Sequence, residues 1–245
     1  MTEKTINHFM YLKFTSDFWK LTAEKRSQFF IDLAGDFEKE TSSFSSTISK
    51  GEGVLCTYFY QVTPIIAGAD FLVWNAAPLT DNQDENRFFE MIGRVVSPRR
   101  HLLEPSAALW GYTRPSVYSR GSNPQEIDPF ASQRQTYLVL YPFVKTVQWY
   151  LLGKDTRQGM MNEHIRIGRQ YPEIKQLLLY SFGVQDQEFI VVYETETLYR
   201  FSELVNELRS SDAREYTERD TPVYSAVWRS PQALADMFGA GQVAG

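Results

Sequence analysis

The stretch RQGMMNEHIRIGRQYPEIKQLLLYSFG, Arg157 to Gly183, changes its hydrophobic period halfway along, and that change points to a mixed α and β fold. Up to Tyr171 the apolar residues Met160, Met161, Ile167 and Tyr171 recur at helical spacing. His164 falls on the same face, one turn after Met160 and one turn before Gly168, so an imidazole points into an apolar layer. Pro172 forbids another turn, and Ile174 to Ser181 then alternates as a strand does. On one face of that strand lie Ile174, Gln176, Leu178 and Tyr180, which sets an uncharged amide among apolar neighbours.

The same change of period recurs on both sides of this stretch. In the second half, strand Tyr137 to Lys145 precedes the helix, expected over Thr156 to Tyr171. Strand Glu188 to Glu194, helix Leu198 to Ser210 and strand Pro222 to Arg229 follow. The first half shows strand His8 to Phe14, then a helix over about Thr22 to Glu40 carrying Phe29, Phe30, Leu33 and Phe37 on one face. The serine-rich stretch Thr41 to Ser49 reads as a loop or weak strand. Strands Val54 to Val62 and Ala69 to Asn75 come next, then a helix buried through Phe88, Phe89, Ile92, Val95 and Val96, then strand Ala107 to Thr113. Each half therefore has the order β-α-β-β-α-β of a ferredoxin-like unit. SRGSNPQEIDPFASQR, Ser119 to Arg134, has the composition of a linker. The expected organisation is α+β: an N-terminal unit over residues 1–118, a linker over 119–134 and a C-terminal unit over 135–245. Duplicated units of this kind commonly pair their sheets into a barrel with helices outside.

Composition narrows the function classes. The 245 residues, 43% of them hydrophobic, suffice for a full core. A net charge of -5 gives no electrostatic footprint for nucleic acid or for an anionic membrane. The chain has no run of about 18 apolar residues and no secretory leader pattern, so no membrane span and a cytoplasmic location are expected. Cys56, the single cysteine, sits in the apolar run Val54 to Tyr60 and reads as a packed thiol. Aromatic residues reach 15%, which suits either a core or a pocket for a flat ligand. No phosphate loop, dinucleotide fingerprint, zinc spacing or nucleophile elbow is present.

The Arg157 to Gly183 stretch resembles the chlorite dismutase superfamily, which includes the coproheme decarboxylases of haem synthesis. YPFVKTVQWYLL (Tyr141 to Leu152), DQEFIVVYET (Asp186 to Thr195) and LVNELRSSDAREY (Leu204 to Tyr216) extend the likeness, and TRPSVY (Thr113 to Tyr118) and ADFLVW (Ala69 to Trp74) carry it thinly into the first half. The resemblance implies a haem b or coproheme site between the C-terminal sheet and its helices. His164 matches the proximal iron ligand, Gln176 the distal residue, Tyr141 the tyrosine oxidised during turnover and Lys145 the lysine that holds a propionate. Trp149 and Gly168 are expected beside the macrocycle, and Asp212 or Glu215 behind the imidazole. For the propionate-binding arginine, Arg134, Arg120 and Arg114 are the candidates.

Taken without that resemblance, the residues leave alternatives open. His164 is also compatible with a core histidine bonded to a carbonyl, Tyr141 with a core tyrosine and Lys145 with a solvated strand end. With the resemblance, the leading expectation is an enzyme that uses hydrogen peroxide to decarboxylate coproheme III to haem b. The runner-up is a haem-b-binding carrier, sensor or detoxifier with weak peroxidase activity; a third is a cofactor-free binding module. Chlorite turnover is less favoured, because the distal position carries glutamine where chlorite dismutases carry arginine. Related proteins form rings, often pentamers, so a homo-oligomer is expected.

Overall fold

A computed structural model describes residues 4–47, 55–115, 117–118 and 124–240. In chain order the elements are β1 (Thr5–Phe14), α1 (Ser16–Trp19), α2 (Ala23–Thr47), β2 (Cys56–Gln61), β3 (Phe71–Pro78), α3 (Asp84–Val96) and β4 (Leu103–Tyr112). Then come β5 (Tyr137–Lys145), α4 (Val147–Leu151), α5 (Lys154–Gly168), β6 (Lys175–Tyr180), β7 (Phe189–Thr195), α6 (Leu198–Leu208), β8 (Thr217–Arg219), β9 (Tyr224–Arg229) and α7 (Pro231–Gly239). The chain is α+β with antiparallel strand pairing.

It divides into two compact units. One holds Glu3–Leu109 with Ala226–Gly245, the other Trp110–Ser225. In the first, the strands neighbour one another in the order β4-β1-β3-β2-β9. Phe14 stacks on Phe18 and Phe71, and Phe29, Phe30 and Phe238 meet its ring edge-on. The tail joins this core because Phe238 of α7 lies parallel to Phe30, with centroids 5.3 Å apart. The expected helix is longer than its sequence suggests: α2 runs on to Thr47 through the serine-rich stretch. Phe44, seven residues beyond Phe37, stays buried on the same face, and that contact outweighs the low helix preference of serine.

In the second unit the order is β8-β5-β7-β6. β5 spans the residues expected for it, Tyr137 to Lys145. Its even-numbered residues Leu138 and Leu140, with Leu177 and Leu179 of β6 and Ile190 and Val192 of β7, are buried on one face. The opposite face meets α5 and α6, where Val139, Val191 and Tyr193 pack with Ile167, Tyr171, Phe201 and Leu204. α5 ends at Gly168, three residues short of the expected Tyr171: the N–H groups of Gln170 and Tyr171 bond back three residues to Ile167 and Gly168, a tighter turn than the α-helix. Two elements of this unit were not expected, the short α4 and β8, as α1 was not in the first. Residues 124–134, read as linker, belong to the second compact unit; Arg120 lies outside the described residues.

Candidate functional site

The helix-facing side of the second sheet is only partly covered. Antiparallel register puts Tyr141 and Phe143 of β5 on one face with Phe189, Val191 and Tyr193 of β7 and Gln176, Leu178 and Tyr180 of β6, and Lys145, past a register shift, brings its Nζ to 6.0 Å from the Phe143 centroid. At one end α5 and α6 seal this face. Elsewhere it stays accessible although it is apolar: Leu178 is 38% exposed, Phe143, Tyr180 and Phe189 are half-buried, and Gln176 is exposed. Phe143 and Phe189 stack with centroids 4.6 Å apart, which makes a flat aromatic floor. Gln176 thus shares a face with Leu178 and Tyr180 as the spacing predicts, on the open side of the strand.

Lys145 at the end of β5 reaches this floor, and Trp149 and His164 lie near Lys145. The Thr146 hydroxyl caps α4 by accepting from the Trp149 N–H, which turns Trp149 inward (4% exposed) and leaves Val147 and Leu151 in solvent. Lys145 places its Nζ 4.7 Å from the Trp149 ring centroid and donates to the Ala213 carbonyl at 3.1 Å and to Thr217 Oγ1 at 3.2 Å. Burial, with the Arg214 charge added, lowers its ammonium to about 8. His164 is half-buried on α5. Burial, then the Lys145 charge, holds its imidazole down at about 4, so it is neutral at pH 7. Its Nδ1 is buried and without a hydrogen-bond partner among the described residues. A Cβ built on Gly168 meets nothing within 4 Å, so the space beside the last turn is open and glycine is not required to keep it so.

Tyr141 and Tyr193 form a pair behind the floor, with rings 30° from parallel and centroids 6.2 Å apart. Burial raises the Tyr141 phenol above its ordinary range, so the hydroxyl keeps its proton at pH 7. Arg209, Arg214 and Asp220 lie close enough to act on it, and Asp220 accepts from both arginines at 2.6 Å.

The expected partner behind the imidazole is not in place. Asp212 and Glu215 are both exposed, because the 3-10 turn Asp212–Arg214 directs Ala213 inward instead. The Asp212 N–H donates to Glu163, the residue before the histidine. Of the candidate arginines, Arg134 pairs with buried Glu194 at 3.4 Å, and Arg114 lies over the Tyr180 ring at 5.2 Å. Sequence reasoning did not find Tyr193, Arg209, Arg214, Glu188 or Gln125. Glu188 accepts from the Lys145 N–H and the Tyr150 hydroxyl. Gln125 lies within hydrogen-bond distance of the Gly168, Tyr171 and Ile174 carbonyls through Nε2, and its own carbonyl accepts from the Gln176 N–H at 2.7 Å. Glutamine in a linker-like stretch carries no local sign of such a role.

The donor set and the floor suit one kind of group. A neutral imidazole, an open apolar and aromatic surface and cationic side chains nearby fit a flat metal-bearing macrocycle with carboxylate arms. Comparison with known proteins bears on the same question. The chlorite dismutase family model matches residues 35–229. A coproheme decarboxylase of Mycolicibacterium smegmatis is 29% identical over 80% of this chain and 79% of its own length. A second coproheme decarboxylase, from Staphylococcus saprophyticus, is 31% identical over 62% of this chain, and the match spans 64% of that relative. Chlorite dismutase from Candidatus Nitrospira defluvii, solved in complex with imidazole, superposes with a TM-score of 0.77 at 20% identity, over 98% of this chain and 97% of the other. Among the described residues no helix is long and apolar enough to cross a membrane. This chain belongs to the chlorite dismutase family.

Proposed function

We propose that this chain binds an iron porphyrin against the open face of its second unit and uses hydrogen peroxide to decarboxylate coproheme to haem b. The observation that carries the proposal is the neutral, half-buried His164 near Lys145, whose ammonium in turn lies over the Phe143 and Trp149 rings. The names of the two curated relatives support the substrate.

In this reading His164 would hold the iron through a ring nitrogen, and burial keeps the imidazole neutral at pH 7 for that role. Trp149 and Gly168 flank the macrocycle. Lys145, with Arg214 and Arg209 near Tyr141, holds the carboxylate arms, since cations in a partly buried site bind carboxylates by charge-assisted hydrogen bonds. Bound iron porphyrin would supply the oxidising equivalents drawn from peroxide. Tyr141, kept protonated by burial, gives up one electron and its proton, then takes hydrogen from a propionate. For each propionate carboxylate, two electrons and one proton pass to hydrogen peroxide, which takes a second proton from solvent; the products are a vinyl group, carbon dioxide and two waters. Gln176 can hydrogen-bond peroxide but brings no positive charge with which to hold chlorite.

The strand orders β4-β1-β3-β2 and β8-β5-β7-β6 support reading the halves 1–118 and 135–245 as ferredoxin-like repeats joined by 119–134. Self-association into a ring, a pentamer by resemblance, and a cytoplasmic location belong to the same proposal. Titration with coproheme and with haem b, each followed by peroxide and mass analysis of the porphyrin, tests the reaction. Loss of carbon dioxide from coproheme is the expected result. Binding of both porphyrins with coproheme left intact would sink it.

A further inference from the structure

α5 carries a cation that the proposed chemistry does not use. Arg157 precedes His164 by seven residues, two helical turns, so both lie on one face of α5, about 10 Å apart along its axis. Ile167, one turn beyond His164, packs on the sheet from that side of the helix. The start of α5 lies at the Lys145 corner of the floor. There Gln158 donates to the Tyr118 carbonyl at 3.0 Å, the Tyr118 ring meets that of Trp149 with centroids 6.4 Å apart, and Lys145 Nζ lies over Trp149.

Arg157 is half-buried, and its Nε is shielded from water without a hydrogen-bond partner. Among the described residues no carboxylate lies within ion-pair distance of its guanidinium. A guanidinium withdrawn from water without an acceptor is costly. The other cations around the site have acceptors in the protein: Lys145 donates to the Ala213 carbonyl and to Thr217, Arg209 and Arg214 both reach Asp220, and Arg134 lies beside Glu194. The carboxylates of α5 itself do not serve Arg157. Asp155 is exposed and only two residues away, hence on another face, and Glu163 accepts from the Asp212 N–H.

We infer that Arg157 binds a carboxylate arm of the porphyrin and so selects for porphyrins that carry an acidic arm on the α5 side. This rests on the reading of His164 as the residue that holds the iron. The separation of the two residues along the helix is comparable with that between the centre of a porphyrin and the end of one arm. A guanidinium offers paired N–H groups that match the two oxygens of a carboxylate. A carboxylate placed there offsets the desolvation that Arg157 otherwise bears alone. An uncharged arm leaves the guanidinium unpaired, and that difference discriminates between porphyrins.

The test is a Soret titration of wild-type protein and Arg157→Gln with ferric coproheme and with its tetramethyl ester, in which every arm is uncharged. Arg157→Gln is expected to weaken coproheme binding about tenfold or more, the effect of one charge-assisted contact, and to leave binding of the ester unchanged. A loss confined to coproheme supports the inference, because a merely structural role for Arg157 lowers both affinities alike. Equal losses for the two ligands, or none for either, overturn it. If Arg157→Gln fails to fold, the same two titrations on Arg157→Lys decide the matter: that variant keeps the charge and loses the fork, and is expected to lose about threefold for coproheme alone. Wild-type protein that binds neither porphyrin overturns the reading of the site and this inference with it. Wild-type protein that binds coproheme but leaves it intact with peroxide counts against the reaction alone, since these titrations read binding.

Discussion

His8 in the first unit and His164 in the second share every property by which a ligand histidine is usually noticed. Each is shielded from water, each is held near pH 4 by burial, and each has an Nδ1 without a hydrogen-bond partner among the described residues. Their surroundings differ. His8, 6% exposed, has the edges of Phe88 and Phe89 against it at 6.4 and 6.1 Å, so packed rings leave no surface beside it. His164 stands near the Lys145 cation, which lies over the half-buried Phe143 ring of a face that solvent can reach. Burial and depressed basicity therefore mark an imidazole in a low-dielectric setting; it is the adjacent open surface that marks one able to bind.

Substituting both histidines breaks or upholds this contrast most directly. His164→Ala is expected to weaken porphyrin binding by about 100-fold or more, read in a Soret titration, because an axial ligand is lost. His8→Ala is expected to leave that affinity unchanged while costing about 2 kcal/mol in urea unfolding, the usual range for a large side chain removed from a core. Equal losses of affinity from the two variants would void the distinction.

Tyr141→Phe sharpens it within the second unit. Decarboxylation is expected to fall on the order of 100-fold with the porphyrin dissociation constant unchanged, which separates the phenol's chemistry from its packing. Lys145→Met is expected to weaken coproheme binding about tenfold, the equivalent of one charge-assisted hydrogen bond, with a smaller effect on haem b, which has fewer carboxylates.

The smallest effect is the pH dependence. His8 titrates at about 4 when folded and near 6.5 when unfolded, so between these values the unfolded chain binds more protons. Stability therefore falls as pH falls through that window, by up to about 1.4 kcal/mol per pH unit for one such group. His8→Phe is expected to flatten that slope in urea unfolding measured at pH 7, 6 and 5. An unchanged slope would mean that His8 is not the buried neutral base described here.

How much of this was legible depended on whether the deciding contact was local. β5 could be read because alternation over nine residues is a local pattern, and the same alternation put Tyr141 and Lys145 on one face. The helical face of His164 was legible for the same reason. The end of α2 was not: serines argued for a loop, and the burial of Phe44 that overrides them is a tertiary contact. Asp212 and Glu215 looked suitable by position, but a 3-10 turn sets which side chain points inward and spacing does not reveal it. Tyr193 escaped notice because its partner lies across a strand pair whose register the sequence does not display. The joining of α7 to the first unit is of the same kind, since Phe30 and Phe238 are far apart along the chain.

Gln125 has a mechanical consequence. One amide reaches the Gly168 carbonyl at the end of the helix that bears His164 and the Tyr171 and Ile174 carbonyls beyond it, while the same residue's backbone is hydrogen-bonded to the Gln176 N–H. One residue thus ties the end of that helix to the start of β6, in addition to the packing of Ile167, Tyr171 and Ile174 on the sheet. Gln125→Ala would remove the side-chain half of that tie and keep the backbone half, so the helix end would lose a support that the strand retains.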